Sequence, residues 1–72
     1  MIKIKVKSIY KAVKYLEMAY DEKISYDLRI GYDTVKGQPK SYYTVELGTD
    51  EATFNELTGR RGLFRHEIIE TA

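Results

Sequence analysis

Residues 24 to 47 constrain the fold most, because they hold two runs in which apolar and polar side chains alternate. In the first, Ile24, Tyr26, Leu28, Ile30 and Tyr32 interleave with Ser25, Asp27, Arg29 and Gly31; in the second, Tyr43, Val45 and Leu47 interleave with Tyr42, Thr44 and Glu46. A period of two puts each set on one side of a strand. A slip of one residue would carry all the apolar side chains of the first run into water, so its register is well specified. Residues 33 to 40 contain Asp, Gly and the only proline and predict a loop longer than a tight turn. The two runs therefore predict a long hairpin with one apolar face, and the rest of the chain has to cover that face.

Residues 2 to 7 alternate Ile2, Ile4 and Val6 with Lys3, Lys5 and Lys7 and predict a further strand. Ser8 follows as a helix N-cap. On a helical wheel of residues 9 to 22, Ile9, Ala12, Val13, Leu16, Ala19 and Tyr20 form the core stripe. The wheel leaves Tyr10, Lys11, Lys14 and Met18 toward solvent with Tyr15 at the border. Tyr10, Lys14, Tyr15 and Met18 are accordingly a candidate protein-binding face.

After the hairpin, Thr49 or Asp50 caps a short helix that buries Phe54 and Leu57, and Gly59 is the expected stop. Residues 62 to 70 read as a strand, with Phe64, His66 and Ile68 alternating against Leu63, Arg65, Glu67 and Ile69; a helical reading with Leu63, Phe64, Ile68 and Ile69 in one stripe stays open. The order βαββαβ implies an α+β fold of ferredoxin-like type, a four-stranded antiparallel sheet with both helices on one face and strand order 4-1-3-2.

Seventy-two residues are expected to make one domain, spanning 1 to 72, near the lower size limit for a single core. The chain has no cysteine, which excludes a disulfide framework and thiolate metal sites. Residues 1 to 7 lack the continuous apolar block of a secretory signal or a membrane span, so a cytoplasmic protein with no membrane partner is expected.

Net charge is +1, from 12 basic and 11 acidic residues, far from the balance of a dedicated nucleic-acid binder. Yet the expected topology gathers Lys7, Lys11, Lys36, Lys40, Arg60 and Arg61 at one end, beside the N-terminus of the first helix. Asp21, Glu22, Asp50, Glu51 and Glu70 fall at the other. Those six cations are a candidate anion or nucleic-acid site.

Chemistry is sparse. His66 has no nucleophile and acid arranged with it and reads as a packed ring. Asp21 with Glu22 and Asp50 with Glu51 lack the spacing of a metal site. Gly59-Arg-Arg-Gly62 lacks the lysine and hydroxyl of a phosphate loop. Of seven tyrosines, Tyr20, Tyr26, Tyr32 and Tyr43 fall on faces expected to be buried, and only Tyr42 could stack on the outer sheet face. The sequence thus leads us to expect a non-enzymatic module without cofactor or metal that binds another protein or a second copy of itself. An inhibitor or regulator of the type that phages and mobile elements encode would fit. The alternative is a nucleic-acid or phosphate-ligand binder using the basic end.

Overall fold

The N-terminal alternation forms strand β1 (Ile2–Val6) with Ile2, Ile4 and Val6 buried, each such burial stabilising by roughly 1.5–3 kcal/mol. Ser8 then takes extended backbone, and its hydroxyl accepts from the Tyr10 amide to start helix α1 (Ile9–Asp21). Lys23, at φ 57, ends α1 in the left-handed region. The Ile24 amide donates to Ala19 and that of Lys23 to Tyr20, a Schellman closure that presses Ile24 onto the core.

The hairpin is longer and tighter than its sequence suggests. In the computed structural model, which describes residues 1–72, its strands are β2 (Tyr26–Val35) and β3 (Gln38–Leu47). Residues 33 to 40 are therefore not a loop. Only Lys36 and Gly37 turn, at φ 52 and 78, the paired positive values of a type I′ turn whose twist matches that of the strands. Val35 faces Gln38 and Thr34 faces Pro39. In a two-residue hairpin the pair next to the turn is hydrogen-bonded and the following one is not, so Pro39 falls where the ladder needs no N–H.

Asp50 caps α2 (Glu51–Arg61) by accepting from the Thr53 amide, and that bond holds its carboxyl below the usual range. The helix runs through Gly59 and stops at Gly62, which is left-handed at φ 65. The stop lies three residues late because Leu63, bonded back to Thr58, is the residue that packs on the core. Residues 63 to 66 are irregular, and strand β4 (Glu67–Thr71) closes the chain.

The sheet order is β2-β3-β1-β4 with every pair antiparallel, and the fold is ferredoxin-like α+β. β1 pairs with β3 only over Tyr43–Leu47, so the distal halves of β2 and β3 project past it. The molecule is correspondingly elongated, 39 by 23 by 17 Å. No helix is long and apolar enough to cross a membrane.

The turn geometry gives a test. Gly37→Val places a branched side chain at positive φ and should cost about 1–2 kcal/mol, read as a lower urea midpoint at unchanged m-value.

Candidate functional site

The wheel of α1 is rotated from its expected setting. Tyr15 and Met18 have no exposed surface and join Ala12 and Ala19 in the core. Their assignment to a solvent-facing binding surface is therefore corrected, leaving Tyr10 and Lys14, which border a cleft of about 430 Å³ with Lys11, Arg61, Gly62 and Leu63. The cause of the rotation is α2. The Phe54 ring stacks on Tyr15 at 6.1 Å, and His66 stands edge-on to both rings, at 5.4 Å from Tyr15 and 5.0 Å from Phe54.

That choice leaves the opposite flank of α1 uncovered. Lys11, Lys14 and Asp21 face α2 and the segment after it: Lys11 donates to the Phe64 carbonyl, Lys14 shares the cleft with Arg61, and Asp21 pairs with Arg61 at 3.2 Å. At about 100° per residue, Ile9, Val13, Leu16 and Tyr20 lie around the helix on the other side, toward β2. Ile9 and Val13 are exposed, and Tyr20 is 74% exposed rather than buried.

The helix-facing side of β2 is open in the same region. Tyr26, Leu28 and Ile30 lie opposite Leu47, Val45 and Tyr43, which fixes their side of the sheet, yet Ile30 is 58% and Tyr32 71% exposed and Tyr26 is half exposed. Of the four tyrosines expected in the core, Tyr43 packs against it, whereas Tyr20, Tyr26 and Tyr32 are exposed along an apolar trough between α1 and β2.

Its outer wall is a sheet edge. The alternation set by the turn directs the N–H and C=O of Asp27, Arg29, Gly31, Asp33 and Val35 to β3, and those of Tyr26, Leu28, Ile30, Tyr32 and Thr34 away from it. β2 has no second neighbour. The opposite edge, β4, is five residues long, carries Glu67 and Glu70 and has a register shift against β1 between Lys3 and Ile4. These are the usual protections of an edge. β2 has ten residues with no bulge, proline or lysine, and its three charges, Asp27, Arg29 and Asp33, all lie on the face away from the helices.

The predicted basic end is only partly assembled. Arg60 pairs with Glu56 and Arg61 with Asp21, so neither joins Lys7; helix α2 supplies an acid four residues back for one, and the long side chain of the other reaches Asp21, expected at the far end. Lys36 sits at the hairpin tip. Lys40 shares a cleft of about 490 Å³ with Lys5 and Lys7. Lys7 and Lys11 instead line a cleft of about 480 Å³ at the start of α1, with Lys5, Ser8, Arg65, His66 and Glu67. Lys7 and Arg65 form no ion pair. Sequence reasoning missed Arg65 and His66 because residues 63 to 66 are irregular, and Lys5 because its partner lies two strands away: its ammonium reaches over the Tyr42 ring at 4.3 Å to Asp33 at 3.0 Å. That carboxylate holds Lys5 above its ordinary pKa. Tyr42 in turn lies where a side chain on Gly31 would be, so the one outer-face aromatic is already occupied.

Burial pushes the Tyr15 phenol up to about 12, and its hydroxyl is hydrogen-bonded to His66 Nδ1 at 2.6 Å. Burial, and secondarily the Lys11 charge, lower the His66 pKa below its ordinary 6.5. No three His, Asp or Glu side chains come together as metal ligands. Comparison with family models, curated proteins and solved structures gave no match.

The His66 environment sets a pH dependence. The unfolded ring takes a proton more readily than the folded one, so its contribution is complete above about 6.5 and is lost as pH falls through the lowered folded value. Urea midpoints should drop between about pH 7 and about pH 5, and His66→Gln should flatten that difference.

Proposed function

We propose that this protein is a non-enzymatic protein-binding module that associates through the trough between α1 and β2 and the adjoining edge of β2. The observation that carries this reading is the contiguity of two unsatisfied surfaces: exposed Ile9, Val13, Tyr20, Tyr26, Ile30 and Tyr32 beside a strand whose outward amides and carbonyls have no partner. An added strand would pair the backbone, and the trough would take its side chains. Tyrosine suits this role because it offers rigid apolar area with a polar tip. An inhibitor or regulator that acts by covering a partner's surface needs no catalytic group.

Replacing Ile30 and Tyr32 together by Asp is the direct test. Both side chains are mostly exposed, so the variant should keep its circular dichroism spectrum and melt within about 5 °C of the wild type. Cross-linking mass spectrometry should show that it loses the species bound by the wild-type chain, and retention of that species would sink the proposal.

The cleft at the start of α1 favours a second reading, an anion site. Lys7 and Arg65 are unpaired there, the first turn of α1 holds no acid, and the His66 ring lines the same cleft. A labelled oligonucleotide or inorganic phosphate should bind at low salt and weaken steeply as salt rises. Lys7→Ala with Arg65→Ala should abolish binding, whereas Arg60→Ala with Arg61→Ala should not. Absence of binding at low salt removes this reading.

A further inference from the structure

We infer that the partner of the β2 edge is a second copy of the same chain, paired antiparallel about a two-fold axis through Gly31. The inference rests on the protein-binding reading above and names the occupant.

The edge itself limits the possible registers. Only Tyr26, Leu28, Ile30, Tyr32 and Thr34 direct their backbone groups outward. Hydrogen-bonded pairs across an antiparallel two-fold must join two outward residues, so the axis has to pass through a residue and cannot fall between two. For a strand running from Tyr26 to Val35, the axes that keep nearly the whole strand paired pass through Ile30 or Gly31.

Charge chooses between them. An axis at Ile30 sets Asp27 against the other copy's Asp33 on both sides of the axis, a like-charge pairing that destabilises. An axis at Gly31 sets Arg29 against the other copy's Asp33, twice. Shifting the axis to Arg29 opposes two guanidinium groups, and shifting it to Tyr32 pairs no charges. An axis at Leu28 does match Asp27 with Arg29, but it pairs little more than Tyr26 to Ile30 and leaves the distal half of the edge bare.

The same register suits the trough. On the helix-facing side it pairs Ile30 with the other copy's Tyr32 and Leu28 with its Thr34, each pair exchanging N–H···O bonds in both directions. Ile30 and Tyr32, two of the most exposed apolar side chains of β2, thereby cover each other. On the outer side Gly31 meets Gly31 at a position where strands approach closely, and each Asp33 lies between its own Lys5 and the incoming Arg29. The product is an eight-stranded sheet with all four helices on one face, and the two troughs merge into one. The contact is isologous, so it closes at two copies.

Sedimentation velocity over a concentration series tests this. The wild-type chain should reach a species of twice 8.4 kDa. Arg29→Asp and Asp33→Arg should each raise the dissociation constant on the order of tenfold. An equimolar mixture of those two variants should recover wild-type association, since the mixed dimer restores opposite charges on both sides of the axis: the two introduced side chains meet each other on one side, and the two native ones meet on the other. Thr34→Pro removes an outward N–H without touching the β2–β3 ladder, and should leave a folded monomer by circular dichroism. A wild-type chain that is monomeric at about 1 mM overturns the inference, and so does Asp33→Arg associating as the wild type does, which would place the axis elsewhere. If the monomeric chain still captures a species that the Ile30 and Tyr32 replacements abolish, the second copy alone is wrong and the protein-binding reading stands.

Discussion

The stack of Tyr15 on Phe54, closed by the edge of His66, is the contact from which the rest of the arrangement follows. It joins α1, α2 and the segment before β4 at one point, and all three rings lie within 6.1 Å of one another. Aromatic rings bury about 150–250 Å² each and gain about 0.5–1.5 kcal/mol from their mutual geometry. Placing Ile9 and Val13 inward instead would bury smaller side chains and expose two large ones. The helix accordingly turns its aromatic side to α2, and its aliphatic side is left facing open space above β2. The surface proposed for binding is thus the counterpart of the core.

The order of elements, the strand pairing and the buried set Ile2, Ile4, Val6, Val45 and Leu47 were legible because a period of two admits only one inward set per strand. The setting of α1 was not. A helical stripe chosen by aliphatic residues differs by a modest rotation from one chosen by Tyr15 and Met18, and nothing local to the helix says where the second helix sits. The hairpin turn was hidden for a related reason. Asp33, Gly37 and Pro39 read as loop residues one by one, yet each fits a strand or tight turn here: Asp33 through Lys5, Gly37 through its positive φ, and Pro39 through a position with no ladder bond.

The candidate sites divide on the same line. Tyr10 and Lys14 are outside, as the wheel implied, whereas Tyr15 and Met18 are not. Charges placed by topology alone failed where side chains are long: Arg61 reaches Asp21, and Lys5 crosses to Asp33. Lys7 and Lys11 remain together because the strand-to-helix junction at Ser8 fixes both. Arg65 and His66 reach that cleft only through irregular backbone, with Arg65 at φ 67, which no periodicity can foretell.

The turn at Lys36 and Gly37 also shapes the order in which the chain can assemble. A hairpin with a two-residue connection closes on the order of 1–10 μs, and it needs no other part of the molecule to fix its register. The β1–β4 pairing instead joins residues near opposite ends of the sequence, with the Met1 amino group donating to the Ala72 carbonyl at 2.7 Å. Such distant closure costs more chain entropy and comes late. A partly folded chain would then present β3 as a second bare edge beside β2 until β1 arrives. The early hairpin is a kinetic convenience for one molecule and an exposed template for its neighbours, so crowding of nascent chains should favour mispairing at β3 before correct docking of β1.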